Sequence, residues 1–168
     1  MGCNLTLNAR RLDKLSTLRD RLIKINPAVE IILARGDVSN KAAVAEVVNK
    51  SVEYFGSLDV VVANAGQGMW SRFRDLKDPD QLHELMQLNF MGVVYSLFYA
   101  LPHLRKSRGS FVAISSIQGV IPVAFHTGYV ASKYAVNGLI DTIRLEEPEV
   151  HFLLALPSWI SGTELRAH

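Results

Sequence analysis

The chain has a single cysteine, Cys3, among 168 residues, so it has no partner for an internal disulfide. Its five histidines, His83, His103, His126, His151 and His168, are scattered, and none stands at the short spacing of a metal-ligand pair. Surface or structural roles are expected for them, and a reducing, cytoplasmic setting for the chain. Neither sign of charge dominates. The 18 basic and 16 acidic residues leave a formal net charge of +2 and form no dense basic stripe, which excludes nucleic acid as an expected partner. No charged start and long apolar run of a secretory signal is present, because Met1-Gly2-Cys3-Asn4 leads straight into Leu5-Thr6-Leu7. The most apolar stretch, Phe90 to Leu101, is interrupted by Gly92, Tyr95 and Ser96 and reads as too short to cross a bilayer. A buried helix is expected there, and no transmembrane segment.

What is present is enough apolar material for a core: 49% of residues are hydrophobic and 20% are charged. No repeat, linker or low-complexity segment divides the chain, so residues 1–168 are expected to form one domain. Short apolar runs alternate with longer segments of helical period, the signature of a parallel α/β sheet with helices on its faces. The runs predict strands at Asn4 to Leu7, Glu30 to Ala34, Leu58 to Ala63, Ser110 to Ile114 and His151 to Leu156. Between them, Leu12, Leu15, Leu18 and Leu22, then Ala43, Val44, Val47 and Val48, mark amphipathic covering helices. Longer helices are predicted from about Pro79 to His103 and from about Gly128 to Arg144, with an irregular tail after Pro157.

Ser116 stands thirteen residues before Tyr129, and Lys133 four after it, in Ile-Ser-Ser-Ile-Gln-Gly and Tyr-Val-Ala-Ser-Lys. Residues four apart lie one turn above each other on a helix face, so the amine of Lys133 is expected near the phenol of Tyr129. A free tyrosine has a pKa of about 10, and a neighbouring positive charge would favour its phenolate and fit it for proton transfer. A lone Tyr-x-x-x-Lys pair describes many ordinary helix faces. Here it comes with Asn64-Ala65-Gly66 after a strand and Asn89 in the helix that follows.

This ordered set resembles the short-chain dehydrogenase/reductase family of the classical type. The resemblance implies a Rossmann-like, doubly wound parallel sheet and an oxidoreductase that interconverts a secondary alcohol and a carbonyl on a small-molecule substrate. It implies Tyr129 as general acid and base, with Lys133 tuning it and Ser116 holding the substrate oxygen by a hydrogen bond. Asn89 matches the family position that supports a water-linked proton relay to the lysine. Pairing of long helices into a homo-oligomer is also implied.

On the cofactor side, Asn64-Ala65-Gly66 resembles the family turn beside the adenosine ribose, where glycine permits close backbone approach. Asp37-Val38 resembles the pair that meets the adenine, with a helix-capping or turn-forming aspartate as the rival reading. Arg10 and Arg11 follow Leu7-Asn8-Ala9 where the family selects its cofactor. Without an acidic side chain to repel a phosphate, positive charge there favours the 2′-phosphate of NADP(H) over NAD. A solvated helix start is the alternative. Ile160 and Thr163 fall in a segment resembling the family loop beside the nicotinamide, although Ser158 stands where glycine is usual and Thr163 is one residue late, which leaves Ser161 as a competing hydroxyl. Gln118, Phe125 and His126 lie where the family borders its substrate pocket. Trp70, Arg72 and Arg74 are explained as well by a surface loop as by ligand contact.

The family usually opens with a strand and a glycine-rich turn that receives the pyrophosphate, and no such motif occurs in this chain. The expected fold therefore lacks the first strand, which would lie between the first and third strands of this chain, and is shortened at the C-terminus. Two rows of backbone groups are expected to lose a neighbour. A fragment of a longer product is the favoured explanation. The rival function is a non-catalytic binding or interaction protein on the same scaffold, and a third reading is an unrelated parallel-sheet protein.

Overall fold

The computed structural model describes residues 2–160. Strand β1 (Leu5–Ala9) leads through helix α1 (Leu12–Ile25) to a parallel partner, β2 (Ile31–Arg35), in a register that sets Leu5 opposite Ile31 and Ala9 opposite Arg35. Helix α2 (Lys41–Phe55) starts where the Asn40 side chain accepts hydrogen bonds from the N–H groups of Ala42 and Ala43, two donors that the first turn leaves without partners. It stops at Gly56, whose φ of 77° is open to glycine at little cost. Both α1 and α2 pack on this strand pair.

A second parallel sheet runs in the order β3 (Val60–Ala63), β4 (Ser110–Ile114), β5 (His151–Ala155). Between β3 and β4 the chain forms α3 (Asp80–Met86), a π turn at Gln87–Met91 and α4 (Gly92–Ser107) without a break. Helix α5 (Thr127–Glu146) connects β4 to β5. The core sits here. Val93, Leu97, Ala100 and Leu104 of α4 and Val136 and Ile140 of α5 pack against Phe111 and Ala113 of β4, all nearly or fully buried.

One expectation needs correction. The helix of residues 80–107 is 28 residues long, long and apolar enough by length and composition to cross a membrane, so shortness cannot exclude that. Val93, Leu97, Ala100 and Leu104 form the face of this helix that packs against β4 and α5. Strand β3 is a continuous apolar run, yet its burial alternates. Val61 and Ala63 pack toward the core cluster, whereas Val60 and Val62, like Leu153 of β5, are more than half exposed. The cluster places α4 and α5 against a single face of this sheet, and parallel strands ordinarily need both faces covered to read as buried.

Among the described residues no ladder joins β1 to β3. Each keeps one edge without a strand partner, the arrangement expected of a doubly wound sheet that lacks its first strand.

Candidate active site

In a parallel sheet all strands point the same way, so their carboxyl ends collect the connecting loops along one edge, and ligands bind there. The segments that follow β1 (Arg10, Arg11), β2 (Asp37, Val38), β3 (Asn64 to Gly66) and β4 (Ser116) all leave from such ends.

Ser116 follows β4 with an extended backbone, φ −163° and ψ 157°, and its hydroxyl accepts from the N–H of Gln118 at 3.1 Å. The phenol of Tyr129 lies within reach of this hydroxyl, which favours the ionised phenol. Tyr129 and Lys133 lie on the buried face of α5, with Ser132, Val136 and Asn137 continuing that face at helical spacing. The Lys133 ammonium donates to the Ile114 carbonyl at 2.8 Å and stands 5.6 Å from the centre of the Tyr129 ring. The structure thus brings Ser116, Tyr129 and Lys133 together at the end of β4.

The electrostatics differ from the expectation of an acidified phenol. Burial raises the pKa of Tyr129, and the hydrogen bond from Ser116 offsets only part of the rise. Burial also lowers Lys133, to about 8. The amine lies over the ring and donates to a carbonyl, and desolvation is the largest cause of the shift in both groups.

Asn89 sits in the π turn and is fully buried. Its Oδ1 accepts from the Gln67 N–H at 2.8 Å, and its Nδ2 donates to the Gln67 carbonyl at 2.9 Å and to Ser132 Oγ at 3.0 Å. The side chain ties the loop after β3 to the buried face of α5 that carries Tyr129 and Lys133. A π turn is often found at functional sites. Next to it, a Cβ added at Gly66 would lie 3.2 Å from Asn89 Oδ1 and 3.7 Å from Lys133 Nζ, so glycine keeps the backbone close to the amine.

On the cofactor side, burial pulls the Asp37 carboxyl upward, but hydrogen bonds from the Ser39 N–H and hydroxyl, with Arg10 nearby, hold it below its ordinary value. The exposed Arg10 lies 3.8 Å from the half-buried Asp37, and Arg11 is exposed at the N-cap of α1. A pair of this kind is weak and leaves the guanidinium able to meet a phosphate. Val38 packs against the start of α4 at Gly92. Asn64 and Ala65 are exposed beyond β3, as is Ile160, while Thr163 and its competitor Ser161 lie outside the described residues. The donor set fits the adenosine part of a nicotinamide dinucleotide.

Sequence reasoning passed over two partners. Ser132 falls three residues after Tyr129 on one helical face, so its burial could have been read from spacing; Gln67 acts through its backbone, which no side-chain pattern reveals. Nor did it foresee that Trp70 stacks on Phe125, with ring centres 5.4 Å apart, and meets the buried His126 edge-on at 4.9 Å.

The sequence matches the short chain dehydrogenase family model over residues 1–167. It is 35% identical over 161 residues to "11-beta-hydroxysteroid dehydrogenase-like 2" of Arabidopsis thaliana, which covers 95% of this chain and 52% of the relative. The fold is similar to an alcohol dehydrogenase from the archaeon Thermococcus sibiricus complexed with 5-hydroxy-NADP, with a TM-score of 0.90, 32% identity, and coverage of 96% of this chain and 67% of that one. It is also similar to a short chain dehydrogenase/reductase from Burkholderia phymatum in complex with NAD, with a TM-score of 0.87, 25% identity, and coverage of 94% and 57%. The chain belongs to the short chain dehydrogenase family, a family of oxidoreductases, and spans about half the length of the curated relatives it matches.

Proposed function

We propose that the chain carries the proton-transfer machinery of an oxidoreductase that interconverts a secondary alcohol and a carbonyl with NADP(H). The observation that carries this reading is the contact between the Ser116 hydroxyl and the Tyr129 phenol, with the buried amine of Lys133 beneath the ring. In the reducing direction Tyr129 gives its phenolic proton to the carbonyl oxygen, and in the oxidising direction it takes the proton of the alcohol. Ser116 holds that oxygen in line with the phenol. Lys133, lowered by burial to about 8, returns or removes the proton at Tyr129. Asn89 keeps the loop after β3 and α5 in register while this happens.

The nicotinamide, when bound, supplies or accepts the hydride at the carbinol carbon. Arg10 and Arg11 would hold the 2′-phosphate, Asp37 and Val38 the adenine, Asn64 to Gly66 the adjoining ribose, and Ile160 with Thr163 the nicotinamide side. The positive pair at the N-terminus of α1 supports NADP(H) over NAD.

The test measures NADPH binding by fluorescence on the purified chain, then ketone-dependent NADPH oxidation. Saturable binding, with turnover that drops by about a hundredfold or more in Tyr129→Phe while cofactor affinity holds, is the expected result. An absence of saturable binding would overturn the enzymatic reading for this chain and favour a docking protein on the same scaffold.

A further inference from the structure

The segment between Ser116 and Tyr129 carries apolar side chains outward. Ile117, Val120, Ile121 and Val123 are all more than a third exposed, although the backbone beneath them is pinned. Asn137 donates to the Gly119 carbonyl at 2.9 Å and Tyr134 to the Val120 carbonyl at 2.7 Å. This rim ends at Phe125, which holds a left-handed φ of 69°. For a bulky side chain that conformation is strained, and surrounding structure must enforce it. The enforcing contact is the Ser71 N–H, which donates to the Phe125 carbonyl at 2.8 Å, beside a parallel bridge between Ser71 and His126.

The strained turn aligns a row of rings. From Tyr129 the row passes to His126 at 6.3 Å between ring centres, then to Trp70 at 4.9 Å, then to Phe125 at 5.4 Å, the last pair stacked with an interplanar angle of 24°. The Arg72 guanidinium lies 5.7 Å over the Phe125 ring and marks the far end. Trp70 is 62% exposed and Phe125 36%, so both rings reach solvent. Trp70 also walls a cavity of about 370 Å³, with Met69 and Leu85 as apolar lining and Gln81 and Glu84 as polar lining. That volume falls in the range of sites that bury small molecules, about 300–1,000 Å³.

We propose that Trp70 and Phe125 form a recognition platform for the planar, apolar rings of a bulky ketone or secondary alcohol, whose oxygen meets Tyr129 at the near end. The proposal rests on the assigned redox role of Tyr129 and names the substrate class of that same site. Aromatic faces favour offset stacking with flat rings and give a branched or linear aliphatic chain less, so the platform discriminates by shape as well as by hydrophobicity. Small, highly hydroxylated substrates would meet an apolar rim with few partners for their hydroxyls.

The experiment separates ring binding from turnover. In a Trp159→Phe background, Trp70 is the sole tryptophan, and its fluorescence is titrated with 2-acetonaphthone and with 2-octanone, with and without NADP(H). Saturable quenching by the naphthyl ketone at concentrations where the aliphatic ketone has no effect is expected. Ring affinity, read by saturation-transfer NMR, should fall by about three- to tenfold in Trp70→Ala and recover in Trp70→Phe, the size expected for loss of one aromatic contact. Phe125→Gly relieves the strained φ and should still weaken the naphthyl ketone, which distinguishes a lost ring from lost folding. Equal affinity for the two ketones, or an affinity that Trp70→Ala leaves unchanged, overturns the platform. Ring binding that persists without any NADPH oxidation supports the platform and overturns the redox reading; oxidation of both ketones with equal kcat/KM does the reverse.

Discussion

The carboxamide of Asn89 grips Gln67 by both backbone groups, accepting from its N–H at 2.8 Å and donating to its carbonyl at 2.9 Å. A third bond, to Ser132 on α5, makes this one side chain the junction between the loop after β3 and the helix that carries Tyr129 and Lys133. Because Asn89 is fully buried, no water can replace it without rearrangement.

Asn89→Ala should therefore destabilise the chain by about 3 kcal/mol, since it leaves buried polar groups without partners. Urea unfolding measures the loss, and hydrogen exchange at the Gln67 amide should accelerate more than at the amides of β4. An unchanged urea midpoint would contradict the role of the clamp.

Lys133 predicts a stability that grows with pH. The folded amine titrates at about 8 and the unfolded one near 10.5, so between those values the unfolded chain binds more protons, and raising the pH favours the folded state. The full effect is about 3 kcal/mol. Tyr129 works in the opposite direction above its ordinary value of 10.0, because a raised phenol favours the folded state only while both states remain protonated. Denaturation of the wild type should show rising stability from pH 8 to about 10. In Lys133→Met that rise should be reduced; equal slopes in the two proteins would show that the amine is not held in a dry site.

Two glycines should respond to alanine with opposite signs. A Cβ at Gly109 would run into the carbonyl of Asp59, with Ser107 Oγ at 2.8 Å, at the junction where the Ser110 N–H donates to Asp59 and the His151 N–H to Gly109. Gly109→Ala should cost about 2 kcal/mol. At Gly138, inside α5, a Cβ meets nothing within 4 Å, and Gly138→Ala should gain about 0.5–1 kcal/mol through helix propensity. Thermal unfolding of the two variants side by side checks the contrast.

The outward face of the second sheet presents Val60, Val62 and Leu153 to solvent. Such a patch should bind the dye anilinonaphthalene sulfonate and promote self-association. Val62→Thr with Leu153→Thr should reduce dye fluorescence while leaving the far-ultraviolet circular dichroism unchanged, because threonine keeps the strand preference. Dye binding that ignores both substitutions would locate the exposed surface elsewhere.

Much of the fold was legible because strands and helices announce themselves by period. Ser110 to Ile114 was read at its exact structural bounds, where small and branched residues follow a helix stop and precede a serine pair. The first strand was read as ending at Leu7 but reaches Ala9, since Asn8 breaks the apolar run while its side chain bonds back to the Ala34 carbonyl at 2.8 Å. The long helix was read to His103 but runs to Ser107, with Pro102 accommodated inside it. Its π turn at Gln87–Met91 has no compositional mark, as a single extra residue in a helical ladder is decided by tertiary contacts. In the site, the spacing of Tyr129 and Lys133 indicated their shared face. Their protonation did not follow from spacing, because it depends on desolvation, and burial is a property of the assembled core rather than of neighbours in sequence.

The break between the two-stranded and three-stranded sheets has a mechanical consequence. The halves meet mainly through α2 against α4, with Val38 seated on Gly92 and the Gln87 side chain donating to the Ser39 carbonyl at 2.8 Å. With no ladder between the two sheets, the backbone amides of β1 and β2 are expected to exchange independently of those in β3, β4 and β5.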